Sequence, residues 1–150
     1  MPVTLHPVDR AAWEADAQAR SDLARIYADA PAERLPLPVA DFIREHLAAS
    51  HFFFCARFND RLIGAVAVED DGEAWWLSHC CVRKTTRRRG VGSRLLALVG
   101  ESALVEGRKL RAPSSQLPVA DQMLLARLGY RLTRAGDYFE LNLLGRGDEQ

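Results

Sequence analysis

Five cations, Arg83, Lys84, Arg87, Arg88 and Arg89, fall within seven residues and run straight into Gly90-Val91-Gly92. Where a helix begins at such a point, its first turn carries unpaired backbone N–H groups and about half a positive charge, and both attract a phosphate. Glycines at 90 and 92 remove Cβ atoms that would hold an anion away from those amides. The arginines add charge-assisted hydrogen bonds to phosphate oxygens. The same residues also describe a solvated charged turn that the glycines merely shape, and a GxG pair alone does not separate the two readings. Two nucleotide motifs are excluded: no Lys-Ser/Thr follows the glycines as a P-loop requires, and the third glycine of a dinucleotide fingerprint is missing.

The titratable groups just upstream are Glu73 and His79. His79 has an unperturbed pKa near neutral, as a general base requires, yet a lone histidine between Ser78 and Cys80 reads equally as a hydrogen-bonded one. Glu73 adjoins the turn Asp70-Asp71-Gly72 and reads as a solvated hairpin residue. Cys55, Cys80 and Cys81 make an odd number without CxxC spacing or a histidine pair at ligand intervals, so neither a disulfide framework nor a metal site is expected. On a strand Cys80 and Cys81 point to opposite faces, one toward the core and one toward a ligand, and no acyl-cysteine is implied. Trp75 and Trp76 also divide between the faces of the strand, one buried and one toward a helix, solvent or a partner.

The 20 Lys and Arg balance the 20 Asp and Glu, and no exposed aromatics interleave the arginine run, so neither nucleic acid nor membrane is the expected partner. With no charged start before a long apolar run, and no stretch near the roughly 20 apolar residues that span a bilayer, a cytoplasmic protein is expected.

These residues need elements to hold them. A chain of 150 residues suits one domain, placed at 1–145 with a disordered tail over 146–150. A short strand at Val3 to His6 precedes one helix over roughly 10 to 30, and Pro31, Pro36 and Pro38 separate it from a second helix, Val39 to Ala48. His51 to Phe58 and Arg61 to Glu69 form a hairpin around Asn59-Asp60, and a third strand runs from Ala74 to Arg83. A helix follows from about Arg89 to Glu106, stopped by Gly107. Leu110 to Ala112 is a short strand, the last helix closes at Gly129, and Tyr130 to Thr133 with Tyr138 to Leu144 are the final strands. This order predicts an α/β (α+β) domain with a central mixed, mostly antiparallel sheet flanked by helices.

The pattern RxxGxG of Arg87, Gly90 and Gly92, after a strand ending in Cys80-Cys81-Val82, resembles motif A of the GNAT acetyltransferases. The element order is similar to the GNAT fold over nearly the whole chain. The resemblance implies that backbone amides of Arg87, Arg88, Arg89, Gly90, Val91 and Gly92 hold the pyrophosphate of acetyl-CoA, with Ser93 and Arg94 as further contacts. Backbone groups around Cys80, Cys81 and Val82 would then pair with the pantetheine arm, in a slot where this strand splays from the next.

Within that family, Asp22-Leu23-Ala24-Arg25-Ile26-Tyr27, Ala56 to Leu62, Val82-Arg83 and Thr86 to Gly92 resemble the PanM/PanZ group. Members bind acetyl-CoA and then the aspartate 1-decarboxylase precursor, whose self-cleavage to the pyruvoyl form they promote, so that acetyl-CoA regulates pantothenate synthesis. The chain differs from that group by an added helical segment over 36–50 and by a poor match over 113–121. The family's transferases often protonate the leaving thiolate with a tyrosine on the last helix. Here Leu125 or its neighbours occupy that place, and Tyr130 falls at a core aromatic position. That absence favours the regulator; the alternative is an N-acetyltransferase acting on an unidentified primary amine, with His79, or else Glu73, as the catalytic base.

Overall fold

The computed structural model describes residues 2–115 and 117–142. Along the chain run β1 (Thr4–Val8), α1 (Arg10–Ala15), α2 (Ala17–Ala28), α3 (Val39–Ala48), β2 (Phe52–Phe58), β3 (Arg61–Asp70), β4 (Ala74–Val82), α4 (Val91–Glu106), β5 (Lys109–Pro113), α5 (Val119–Arg127), β6 (Arg131–Leu132) and β7 (Tyr138–Leu141). Short 3-10 turns, Ala32–Arg34 and Lys84–Thr86, follow α2 and β4. The expected run of the last strand to Leu144 and the tail over 146–150 lie outside the described residues.

The helix expected over 10 to 30 is two helices. Asp16 takes an extended backbone conformation and accepts hydrogen bonds from the amides of Gln18 and Ala19, capping α2. The carbonyls left open at the end of α1 are taken by Arg20, whose Nη1 donates to Trp13 O at 2.9 Å and Glu14 O at 2.7 Å. Apolar periodicity carries no information about such a break, because both halves keep an inward face. Other boundaries move by a few residues: β1 starts and ends later than Val3 to His6, β4 stops at Val82, and α4 begins at Val91.

The seven strands form one sheet in the order β1-β2-β3-β4-β5-β7-β6. Every neighbouring pair is antiparallel except β4 and β5, which α4 connects as a parallel crossover. The β2–β3 hairpin turns at Asn59 and Asp60, both at positive φ, the conformation a two-residue turn needs to match strand twist.

Alternation along the strands splits the interior into two cores. Phe54, Ala56, Val66, Val68 and Trp75 pack with Leu95 and Val99 of α4 on one face. Phe53, Cys55, Ala65 and Ala67 pack with Leu23, Ile26 and Tyr27 of α2 and with Phe42 and Leu47 of α3 on the other. At the edge of this second core Asp22, 2% exposed, stays ionised through Arg61 at 2.7 Å and the Leu62 amide at 3.1 Å. Trp75 is buried. Trp76, on the opposite face, donates from Nε1 to Asp71 and packs edge-on against Tyr138, with the Arg111 guanidinium over both rings.

Candidate functional site

β4 and β5 pair over only three positions, Ala74 with Lys109, Trp75 with Leu110, and Trp76 with Arg111, before they part. β4 also carries an inserted residue: Ala67 lies opposite Ser78 and Ala65 opposite Cys81, so the single residue Val66 on β3 answers two on β4, His79 and Cys80. The bulge centres on His79, whose φ of 50° lies in the left-handed region. It resets the strand's alternation. Trp75 and Leu77 face α4, and beyond the bulge Cys80 and Val82 do so too, while Cys81 turns into the α2 core with its Sγ 3.2 Å from Ile26 O. Tyr27, fully buried on α2, donates its hydroxyl to His79 O at 2.8 Å and latches the bulge in place.

Between the parted strands lies a cleft of about 160 Å3. Leu77, Cys80 and Val82 of β4, Gly92 and Leu96 of α4, and Leu124 and Leu125 of α5 give it an apolar wall. One end opens at the first turn of α4. There the first helical hydrogen bond runs from Arg94 N–H to Gly90 O, so the Val91, Gly92 and Ser93 amides stand outside the helical ladder. No acidic side chain occupies that turn. Arg88 and Gly90 both take positive φ, and a loop that turns in this way gathers successive N–H groups toward one point, a fit for an anion.

The five cations of this loop have different duties. Asp29, the C-cap of α2, accepts from Arg83 Nε at 2.8 Å and from the Lys84 amide at 2.9 Å. These bonds hold the Asp29 carboxyl below the usual carboxylate range. Arg87 folds back as well, giving Nε to Val82 O at 3.2 Å and Nη2 to Asp29 O at 2.8 Å. Its side chain fastens the loop to α2 instead of reaching outward. Arg88, Arg89, Ser93 and Arg94 are exposed, and among the described residues no ion pair uses these three arginines.

Of the proton-transfer candidates, His79 fronts the cleft, and Glu73 does not: it sits at the far end of β4, paired with Lys109 and Arg111. Burial, with Arg34 nearby, pushes the His79 imidazole below its ordinary pKa, which keeps it neutral at pH 7. Its ring lies 4.9 Å from that of Phe42, and Nδ1 is 3.0 Å from Ser78 Oγ. Burial raises the Cys80 thiol to about 12, which leaves it protonated and a poor nucleophile. The α5 side chains on the cleft are Asp121, Leu124 and Leu125, with no phenol among them. Tyr130 is a core residue of the α4 side, and its buried hydroxyl has no hydrogen-bond partner. Asp121 is the polar cleft residue that sequence reasoning passed over, since the segment before it gave no motif.

Residues 10–112 match the family model described as "Acetyltransferase (GNAT) domain, PanZ". The chain belongs to this PanZ family of GNAT domains. Two relatives, each named PanD regulatory factor, one from Salmonella typhimurium and one from Escherichia coli, are 49% identical over 47 residues. The matched stretch is 31% of this chain and 37% of each relative. Among solved structures, aminoglycoside 6'-acetyltransferase type Ii superposes with a TM-score of 0.73 at 15% identity, covering 95% of this chain and 99% of that one. A GNAT family acetyltransferase from Elizabethkingia anophelis, solved with acetyl-CoA bound, superposes at 0.61 with 21% identity, covering 87% and 77%. At these identities the likeness to solved structures is one of fold. The seven-stranded, mostly antiparallel sheet with its parted β4 and β5 is the GNAT fold that the sequence pattern predicts.

Proposed function

We propose that this chain is an acetyl-CoA-dependent regulator that binds the aspartate 1-decarboxylase precursor and promotes its self-cleavage to the pyruvoyl form, and so regulates pantothenate and CoA synthesis. The observation that carries the reading is a cleft that ends on free helix amides at α4 and offers no phenol from α5 to protonate a leaving thiolate. Membership of the PanZ family and the regulatory relatives support it. Bound acetyl-CoA would supply an acyl thioester at the cleft.

The chain's own part is to hold and orient that ligand. The Val91, Gly92 and Ser93 amides receive the pyrophosphate, and Arg88, Arg89 and Arg94 neutralise its charge. Backbone of β4 around Cys80 and Val82, beyond the last pair with β5, meets the pantetheine amides, and the apolar wall excludes water. The Arg87 side chain positions the loop. Such a protein acts in the cytoplasm, with the decarboxylase precursor as its partner.

A second reading, N-acetyl transfer to an unidentified primary amine, is favoured by one observation: His79 lies on the cleft and is held neutral. The deciding measurement is the rate of precursor self-cleavage with this protein added, with and without acetyl-CoA. Acceleration only when both are present is the expected outcome. Binding of acetyl-CoA with neither acceleration nor a complex, together with thiol release on adding amines, would establish the transferase instead.

A further inference from the structure

One ion pair joins the wall of the cleft to the turn after α2. Arg34, in the 3-10 turn after α2, donates from Nη2 to Asp121 Oδ2 of α5 at 3.0 Å. Asp121 belongs to the wall of the cleft on the α4 and α5 side. Arg34 lies on the opposite side of β4, in a small recess shared with Tyr27, Leu35, His79 and Cys80. The cleft and the recess meet at His79 and Cys80, which line both. A bond from Arg34 to Asp121 therefore passes the free edge of β4, beyond the last residue pair that joins β4 to β5. It closes the side of the gap that the cleft leaves open toward α2.

We infer that Arg34 and Asp121 form a strap across the acceptor side of the β4/β5 gap, making them specificity-determining residues that screen a bound thioester from nucleophiles in solution. The inference rests on the gap being the thioester site. It gives the regulator reading a physical cause, since a ligand that free amines cannot reach is held and not consumed. The two groups take no chemical part. Asp121 lies beyond the residues matched by the family model, so the strap joins a feature of this chain's own last helix to the turn after α2.

Hydroxylamine tests this. Its nitrogen attacks the acetyl carbonyl carbon, the C–S bond breaks, the nitrogen loses a proton to solvent, and coenzyme A leaves as a thiolate that takes up a proton; acetohydroxamate is read by its colour with ferric ion. The protein is saturated with acetyl-CoA and compared with the same concentration of free acetyl-CoA. The unaltered chain should react more slowly than the free thioester. Arg34→Gln and Asp121→Asn should each speed the reaction, by roughly two- to five-fold for a pair this exposed. The reversed pair, Arg34→Asp with Asp121→Arg, should return it to the slow rate, which a loss of fold could not do. Single variants as slow as the unaltered chain, or a reversed pair as fast as the singles, would overturn the strap alone. Failure of the unaltered chain to take up acetyl-CoA in a binding titration would overturn the ligand reading and the strap with it.

Discussion

The two glycines of the α4 entry do different jobs, and a substitution can separate them. Gly90 sits at a φ of 76°, where any side chain is strained, so replacing it disturbs the loop before it tests a ligand. Gly92 has an ordinary helical role, and a Cβ built on it would rest 3.6 Å from Val82 Cγ2, a normal contact. The larger side chain of Gly92→Val would extend into the cleft that Gly92 lines. That variant is expected to fold, as judged by circular dichroism, and to lose acetyl-CoA binding by at least about tenfold in a calorimetric titration. Unchanged affinity in the folded variant would remove the phosphate-site reading. At this scale the sequence marked a stretch without sorting its members. The run from Arg83 to Arg89 is a single cluster on paper, and it is Asp29, more than fifty residues earlier, that draws off Arg83 and Arg87 and leaves Arg88 and Arg89 to face solvent. No local pattern encodes a partner that far away.

Among the elements, α3 is held down by a histidine. His46 Nε2 lies 2.7 Å from Phe52 O, tying the end of the helix to the start of β2, and its ring packs 4.6 Å from Phe53. His51 faces it at 5.2 Å, with Glu69 paired to His51 and His79 close by. Burial lowers the His46 pKa below 6.5, and His51 and His79 add to the effect against the opposing pull of the Phe52 carbonyl and Glu69. A lowered histidine pKa means that the unfolded chain binds the proton more readily. Its stabilising effect is complete above about pH 6.5 and is lost as the pH falls from there toward the folded value. The Tm should therefore drop below pH 6.5, and His46→Gln, which keeps an N–H donor but does not titrate, should flatten that drop. His79, shifted the same way, will leave a residual slope. A pH profile of Tm identical in both proteins would exclude His46 as the source.

Element identity was largely legible: the apolar spacing of α3, α4 and α5 and the Asn59-Asp60 turn all led to the structures found. The bulge at His79 was not. Alternation along β4 has no intrinsic mark at the point where it resets, because the inserted residue is fixed by the register of β3 and by the distant Tyr27 hydroxyl. The break at Asp16 escaped for a related reason, since a capping aspartate and an exposed helical one look alike until Arg20 is seen to close the end of α1.

At the scale of the whole molecule, the sheet is two blocks, β1 to β4 and β5 to β7, joined by a junction of three residue pairs. A gap in mid-sheet amounts to two bare strand edges facing each other. Proteins ordinarily hide such edges, because each offers a row of unmatched backbone groups to any stray extended segment. A chain with nothing seated between β4 and β5 thus carries its own nucleus for self-association, and a ligand lodged there acts as a missing strand. Warmed just below its Tm, the protein should turn cloudy in light scattering when alone and stay clear with excess acetyl-CoA; equal clouding in both would mean the edges are already protected. If the clouding does differ, the level of acetyl-CoA in a cell would set how long each copy of this chain survives as well as what it does.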